Sequence, residues 1–138
     1  MKTVYDLRLN KRYIADVQNA SLNRPDCGLK ITHGLYGSEE WFAHIGSGTL
    51  PLIRLRGTIT RTYMASMDDW PEFEMREEDG TLSKRTRECN DRDDAKLYRT
   101  DYRVELDYVL QEWKNRDSVL GTHSKCVVTI RIGNHIQS

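Results

Sequence analysis

No apolar run in this chain approaches the roughly 18 residues that a membrane-spanning helix needs, so nothing in it reads as a span. Cysteine is scarce and odd in number, with Cys27, Cys89 and Cys126 far apart. Such a set builds no disulfide framework and fits reduced thiols. Neither sign of charge is in excess, since Lys plus Arg and Asp plus Glu each number 21. The field of the whole molecule therefore draws neither nucleic acid nor an anionic membrane, and such binding would need a local patch. Met1 to Arg8 is interrupted by Lys2 and Asp6 and lacks an apolar h-region, so no standard secretion signal is read and a cytoplasmic chain is expected. In that setting the sequon Asn19-Ala20-Ser21 carries no meaning. Gly-x-Ser-x-Gly, Walker and Gly-x-Gly-x-x-Gly patterns are missing as well, and Gly46-Ser47-Gly48 is a turn without the lysine of a phosphate loop. There is no internal repeat and no low-complexity tract.

What is present is alternation. Glu72 to Arg87 carries charged, alternating runs on either side of Asp79-Gly80, the dipeptide of a tight two-residue β-hairpin turn. Counting back from that turn pairs Glu78 with Thr81, Arg76 with Ser83, Glu74 with Arg85 and Glu72 with Arg87, so two acid–base pairs face each other. Tyr102, Val104, Leu106, Tyr108 and Leu110 alternate with Arg103, Glu105 and Asp107, and Cys126, Val128, Ile130 and Ile132 form a last strand. From Leu50 a long strand places Ile53, Leu55, Gly57, Ile59, Arg61 and Tyr63 on one face and Arg54, Arg56, Thr58, Thr60 and Thr62 on the other. Gly57 at its middle suggests a bulge or the bend of a closing barrel. Met64 to Pro71 reads as a connection, and Cys89 to Lys96 as a charged loop with a helical turn.

The first 49 positions read as N-terminal strands: a hairpin over Thr3 to Val17 turning at Asn10-Lys11, then a strand over Leu29, Ile31, His33 and Leu35. Ser38 to Phe42 fits either a strand or a short helix capped by Ser38, stopped by Gly46-Ser47-Gly48. The chain is thus expected to be one all-β domain over 1–138 with at most a short helix, its 50–138 part a barrel-like core. The order from Leu50 onward resembles a five-stranded OB-type barrel, closed or partly open. The resemblance is one of fold only, carried by no diagnostic motif, and a sandwich accounts for the same pattern.

Chemistry-bearing residues were weighed against plainer roles. His123 and Cys126 have a two-residue gap but no second pair beside them, and on one strand their odd offset points them to opposite faces; Asn90 to Asp94 lacks the Gly and distal Glu of a calcium loop. No metal or cofactor is expected. Cys89, between Arg87, Glu88 and Arg92, is a candidate for a slightly lowered pKa but has no base beside it. Glu72 and Glu74 face arginines in the expected register, which argues against a general acid. Asp68 and Asp69 escape that objection, and Trp70 beside them could stack on a ring, giving an acid–base hydrolase as one alternative. Arg54 and Arg56 with the threonines form a positive strand face that Arg85, Arg87, Lys84 and Arg99 extend, giving a single-stranded nucleic-acid binder as another, although no exposed aromatic platform accompanies them. The reading the residues favour is a non-enzymatic binding module that acts through a protein partner or self-association. Its edge strands and the scattered Trp41, Phe42, Trp70 and Trp113 serve contact. A small-ligand barrel is the remaining alternative, and no membrane role is expected.

Overall fold

A computed structural model describes residues 1–24, 28–67, 69–114 and 123–134. They form two compact units, one built from Met1–Asp6, Arg54–Asp107 and the stretch from Thr129, the other from Leu7–Ile53 and Tyr108–Val128. The fold is predominantly antiparallel β with a few short helices. A six-stranded sheet runs β1 (Lys2–Asp6), β6 (His123–Gly133), β5 (Arg103–Glu112), β2 (Ile53–Ala65), β3 (Trp70–Glu77) and β4 (Leu82–Thr86) in that spatial order. It has two ends and is not closed into a barrel.

In the first unit one sheet face is apolar. Ile59, Phe73, Met75, Val104, Leu106, Ile130 and Ile132 are all buried there, and the Tyr98 ring packs 5.1 Å from Phe73. Tyr98 directs its hydroxyl to the Glu88 carbonyl at 2.5 Å, which satisfies the polar end of a buried ring. Edge strand β1 is blocked by Asn90. Its backbone N–H donates to the Val4 carbonyl at 3.0 Å, and its side chain bonds both the Asp6 N–H and the Asp6 carbonyl.

The β3–β4 hairpin forms, but one residue out of the expected register. Glu74 faces Lys84, Glu72 faces Thr86 and Phe73 faces Arg85. The loop is three residues long, because the Glu77 N–H bonds the Thr81 carbonyl at 2.8 Å and the Gly80 N–H bonds the Glu77 carbonyl at 2.9 Å. Gly80 has φ +91°, and the Asp79 carboxylate accepts the Thr81 N–H at 2.9 Å. Asp-Gly serves a type I turn followed by a left-handed residue as readily as a two-residue turn, and the extra loop residue displaces every pair by one.

Gly57 is also used differently. A Cβ there would lie 2.3 Å from the Arg76 carbonyl oxygen, so glycine admits a close approach of β3. The register shift of β2 falls between Ile59 and Arg61 instead. It moves Arg61 and Tyr63 onto the face of Arg54, Arg56 and Thr58, and the expected division of β2 into two faces fails beyond that point.

In the second unit the expected first hairpin is absent. After β1 the chain makes a 3-10 turn, Leu7–Leu9, and then helix α1, Lys11–Asn23. Asn10, read as a turn residue, is its N-cap and accepts the Tyr13 N–H at 3.4 Å. Tyr13, Val17, Ala20 and Ser21 then recur at helical spacing. Buried Ser21 is satisfied, donating to the Val17 carbonyl at 2.8 Å and accepting the Leu29 N–H at 3.0 Å.

The alternating stretch from Leu29 is not a strand either. It makes isolated bridges, Leu29 to Trp113 and Thr32 to Gly34, and left-handed Gly34 and Gly37 break it. Ser38 caps helix α2, Glu39–Ser47, by accepting the Trp41 N–H at 3.2 Å, and left-handed Gly48 ends it.

Candidate partner-binding surface

The second face of the sheet in the first unit carries most of its charged side chains. On β5 the residues between buried Val104 and Leu106 and beyond are Glu105 and Asp107, and they meet arginines from both neighbouring strands. Arg54 clamps Asp107 with bonds of 2.8 and 3.4 Å, while Thr129 and Arg131 bond the same carboxylate at 2.8 and 3.0 Å. Arg131 also reaches Glu105 at 3.1 Å, and Arg56 holds the other Glu105 oxygen at 2.8 Å. The result is an alternating chain, Arg54, Asp107, Arg131, Glu105, Arg56. Burial works to raise the pKa of Asp107, but hydrogen bonds from Arg54, Thr129 and Arg131 outweigh it and hold the carboxyl below its ordinary value. The Arg56 hydrogen bond, with Arg131, does the same for Glu105.

Arg54 and Arg56 thus stand on one face, as read from the sequence, with both guanidiniums committed to carboxylates. A phosphate there would compete with Asp107 and Glu105. Arg85 is half-buried opposite Phe73, and Arg87 is turned to the Tyr63 carbonyl at 3.0 Å. The four arginines do not form a single open positive patch. Glu74 faces Lys84 but takes its bonds from Thr60 at 2.8 Å and Arg61 at 3.4 Å, and the Thr60 hydrogen bond leads in lowering its pKa.

Trp41 is fully buried, packed 4.8 Å from Tyr36, and donates its indole N–H to Gln111 at 3.2 Å. It is a core residue of the second unit and offers no surface to a partner. Asp69 is exposed in a turn, and Asp68 lies outside the described residues. Cys89 corrects its expectation. Burial first, then Asp94, Glu88 and Asp91, raise its pKa, and burial pushes the Cys126 thiol up to about 11. Neither is activated as a nucleophile. Among the described residues no group of three or more His, Cys, Asp or Glu could hold a metal ion, and no helix is long and apolar enough to cross a membrane.

Each unit has a cleft. In the first, one of about 430 Å³ is bordered by Met1, Arg56, Glu78, Arg103 and Glu105. In the second, one of about 270 Å³ is lined by Tyr13, Val17, Leu29, Tyr36, Trp113 and Cys126. The latter is smaller than the roughly 300–1,000 Å³ usual for ligand sites.

Three exposed apolar residues of the first unit gather at the tip of the β2–β3 hairpin, while Met1 and Leu82, 56% and 54% exposed, stand elsewhere on it. Met67 is 96% exposed, Trp70 52% and Met64 43%. Ser66 and Met67 have φ of +52° and +59°, a left-handed pair without glycine that costs roughly 1–2 kcal/mol per residue. Sequence reading assigned Trp70 to contact but passed over Met64 and Met67 as connection. The available signal was two methionines in a turn segment otherwise made of small and acidic residues.

No curated protein matches the chain. A family model described as Immunity protein RhsI2 matches residues 1–133, nearly the whole chain, and the protein therefore belongs to the RhsI2 immunity-protein family.

Proposed function

We propose that this chain is a non-catalytic immunity module that protects a cell by binding a protein toxin. The match to the RhsI2 immunity family over residues 1–133 carries this reading. The geometry supports it in three respects. The described thiols have raised pKa values, the arginines of the sheet are engaged with carboxylates, and an exposed apolar tip is available for contact. Binding of this kind needs a surface that is already shaped, and a sheet cross-linked by the Arg54 to Arg56 network supplies one at little ordering cost.

The test is coexpression with candidate toxins. The expected outcome is that one toxin arrests growth alone, that arrest is relieved when this chain is present, and that the two purified proteins elute together as a stoichiometric complex. Relief of arrest without any complex would replace binding by an indirect effect and sink the proposal.

A further inference from the structure

The tip of the β2–β3 hairpin extends past both of its neighbouring strands. Ile59 exchanges backbone hydrogen bonds with Tyr102 and Asp101 at 2.9 and 2.8 Å, and β5 begins only at Arg103. From Thr60 onward β2 therefore runs beyond β5. On the other side the last β4 pair is Thr86 with Glu72, followed by one bond from the Arg87 N–H to the Pro71 carbonyl at 3.0 Å. Ala65, Ser66, Met67, Asp69 and Trp70 lie past both.

Register shows how apolar groups are set on this arm. Ala65 faces Trp70 and Met64 faces Pro71, so Trp70 and Met64 lie on opposite faces of the ribbon, with Met67 at its end. Trp70 is held by a 2.8 Å bond from its indole N–H to the Thr86 hydroxyl, and Met64 by the Arg87 guanidinium 3.4 Å from its sulfur. An arm that is apolar on both faces and at its end fits a cleft better than a flat surface. Met and Trp are among the residues enriched in interface cores. Asp69 is exposed beside them, and among the described residues no cation pairs with it. The complement is an apolar cleft with a basic rim.

Resting on the immunity reading above, we infer that Met64, Met67 and Trp70, with Asp69 at their margin, form the anchor that inserts into such a cleft on the toxin. The left-handed Ser66 and Met67 hold the methionine outward before the partner arrives.

The probe is the toxin whose arrest the native chain relieves. Met67→Gly and Trp70→Ala should each weaken its binding at least tenfold by calorimetry, while Leu22→Ser, an exposed leucine on α1, leaves it unchanged. Met67→Gly is the decisive variant, because glycine accepts φ of +59° and the protein should melt no lower than native. Asp69→Lys should slow association more at low salt than at high salt. Native-like binding by Met67→Gly and Trp70→Ala overturns the inference and leaves the immunity reading standing. Failure of the native chain to relieve any toxin overturns both. A native dimer in light scattering that dissociates in Met67→Gly would assign the tip to self-association and overturn it too.

Discussion

Asp107 accepts hydrogen bonds from Arg54, Thr129 and Arg131 while only 3% exposed, and this makes it the side chain on which the polar face depends most. Asp107→Ala should destabilise the protein by about 3 kcal/mol in urea unfolding. That is the low end for removing one partner of a buried pair, because half-exposed Arg54 can return to water. The same network predicts an acid dependence. Asp107 and Glu105 have folded pKa values below those of the unfolded chain, so the native state binds fewer protons near pH 4. Their contribution is full above the unfolded values of about 4 and is lost as pH falls through the folded ones. The urea midpoint should therefore drop as pH falls below about 4, and drop less in Asp107→Ala. An unchanged slope in that variant would show that other carboxylates govern acid unfolding. At this scale the sequence showed which arginines share a strand, but not that carboxylates of β5, distant in sequence and adjacent in the sheet, would claim them.

Among the elements, the β3–β4 hairpin was legible as a hairpin and illegible in register, because a turn dipeptide constrains φ without setting loop length. A double-mutant cycle on stability separates the two registers. Glu74 and Lys84 should couple by about 0.2–1 kcal/mol and Glu74 and Arg85 by nothing measurable, with the reverse result restoring the two-residue turn. Gly57→Ala should cost about 1–3 kcal/mol, since the new Cβ meets Arg76 backbone that cannot swing aside. Helix α1 was missed for a related reason. Asn10 is as good a helix cap as a turn residue, and a stretch of mixed apolar positions satisfies a period of 2 and a period of 3.6 in part. Helix α2 was recoverable from Ser38, Glu39 and Glu40, whose signals concern only adjacent residues.

For the whole molecule, equal numbers of acidic and basic residues predict negligible binding of a single-stranded oligonucleotide at physiological salt. Arg54→Ala with Arg56→Ala should not alter it, and tight, salt-sensitive binding abolished by that pair would put nucleic acid ahead of a protein partner. The predominance of β structure and the strands at β5 and β6 could be read from residues alone, because alternation and turn chemistry are local and each strand carries its own record. Hairpin register, the face change at Thr60, the burial of Trp41 and the exposure of Met67 could not. Each depends on which segment lies across from which, and that is decided when distant strands compete for one apolar face and one set of hydrogen-bond partners. The extended arm of β2 and β3 arises in the same way, from where β5 and β4 happen to stop.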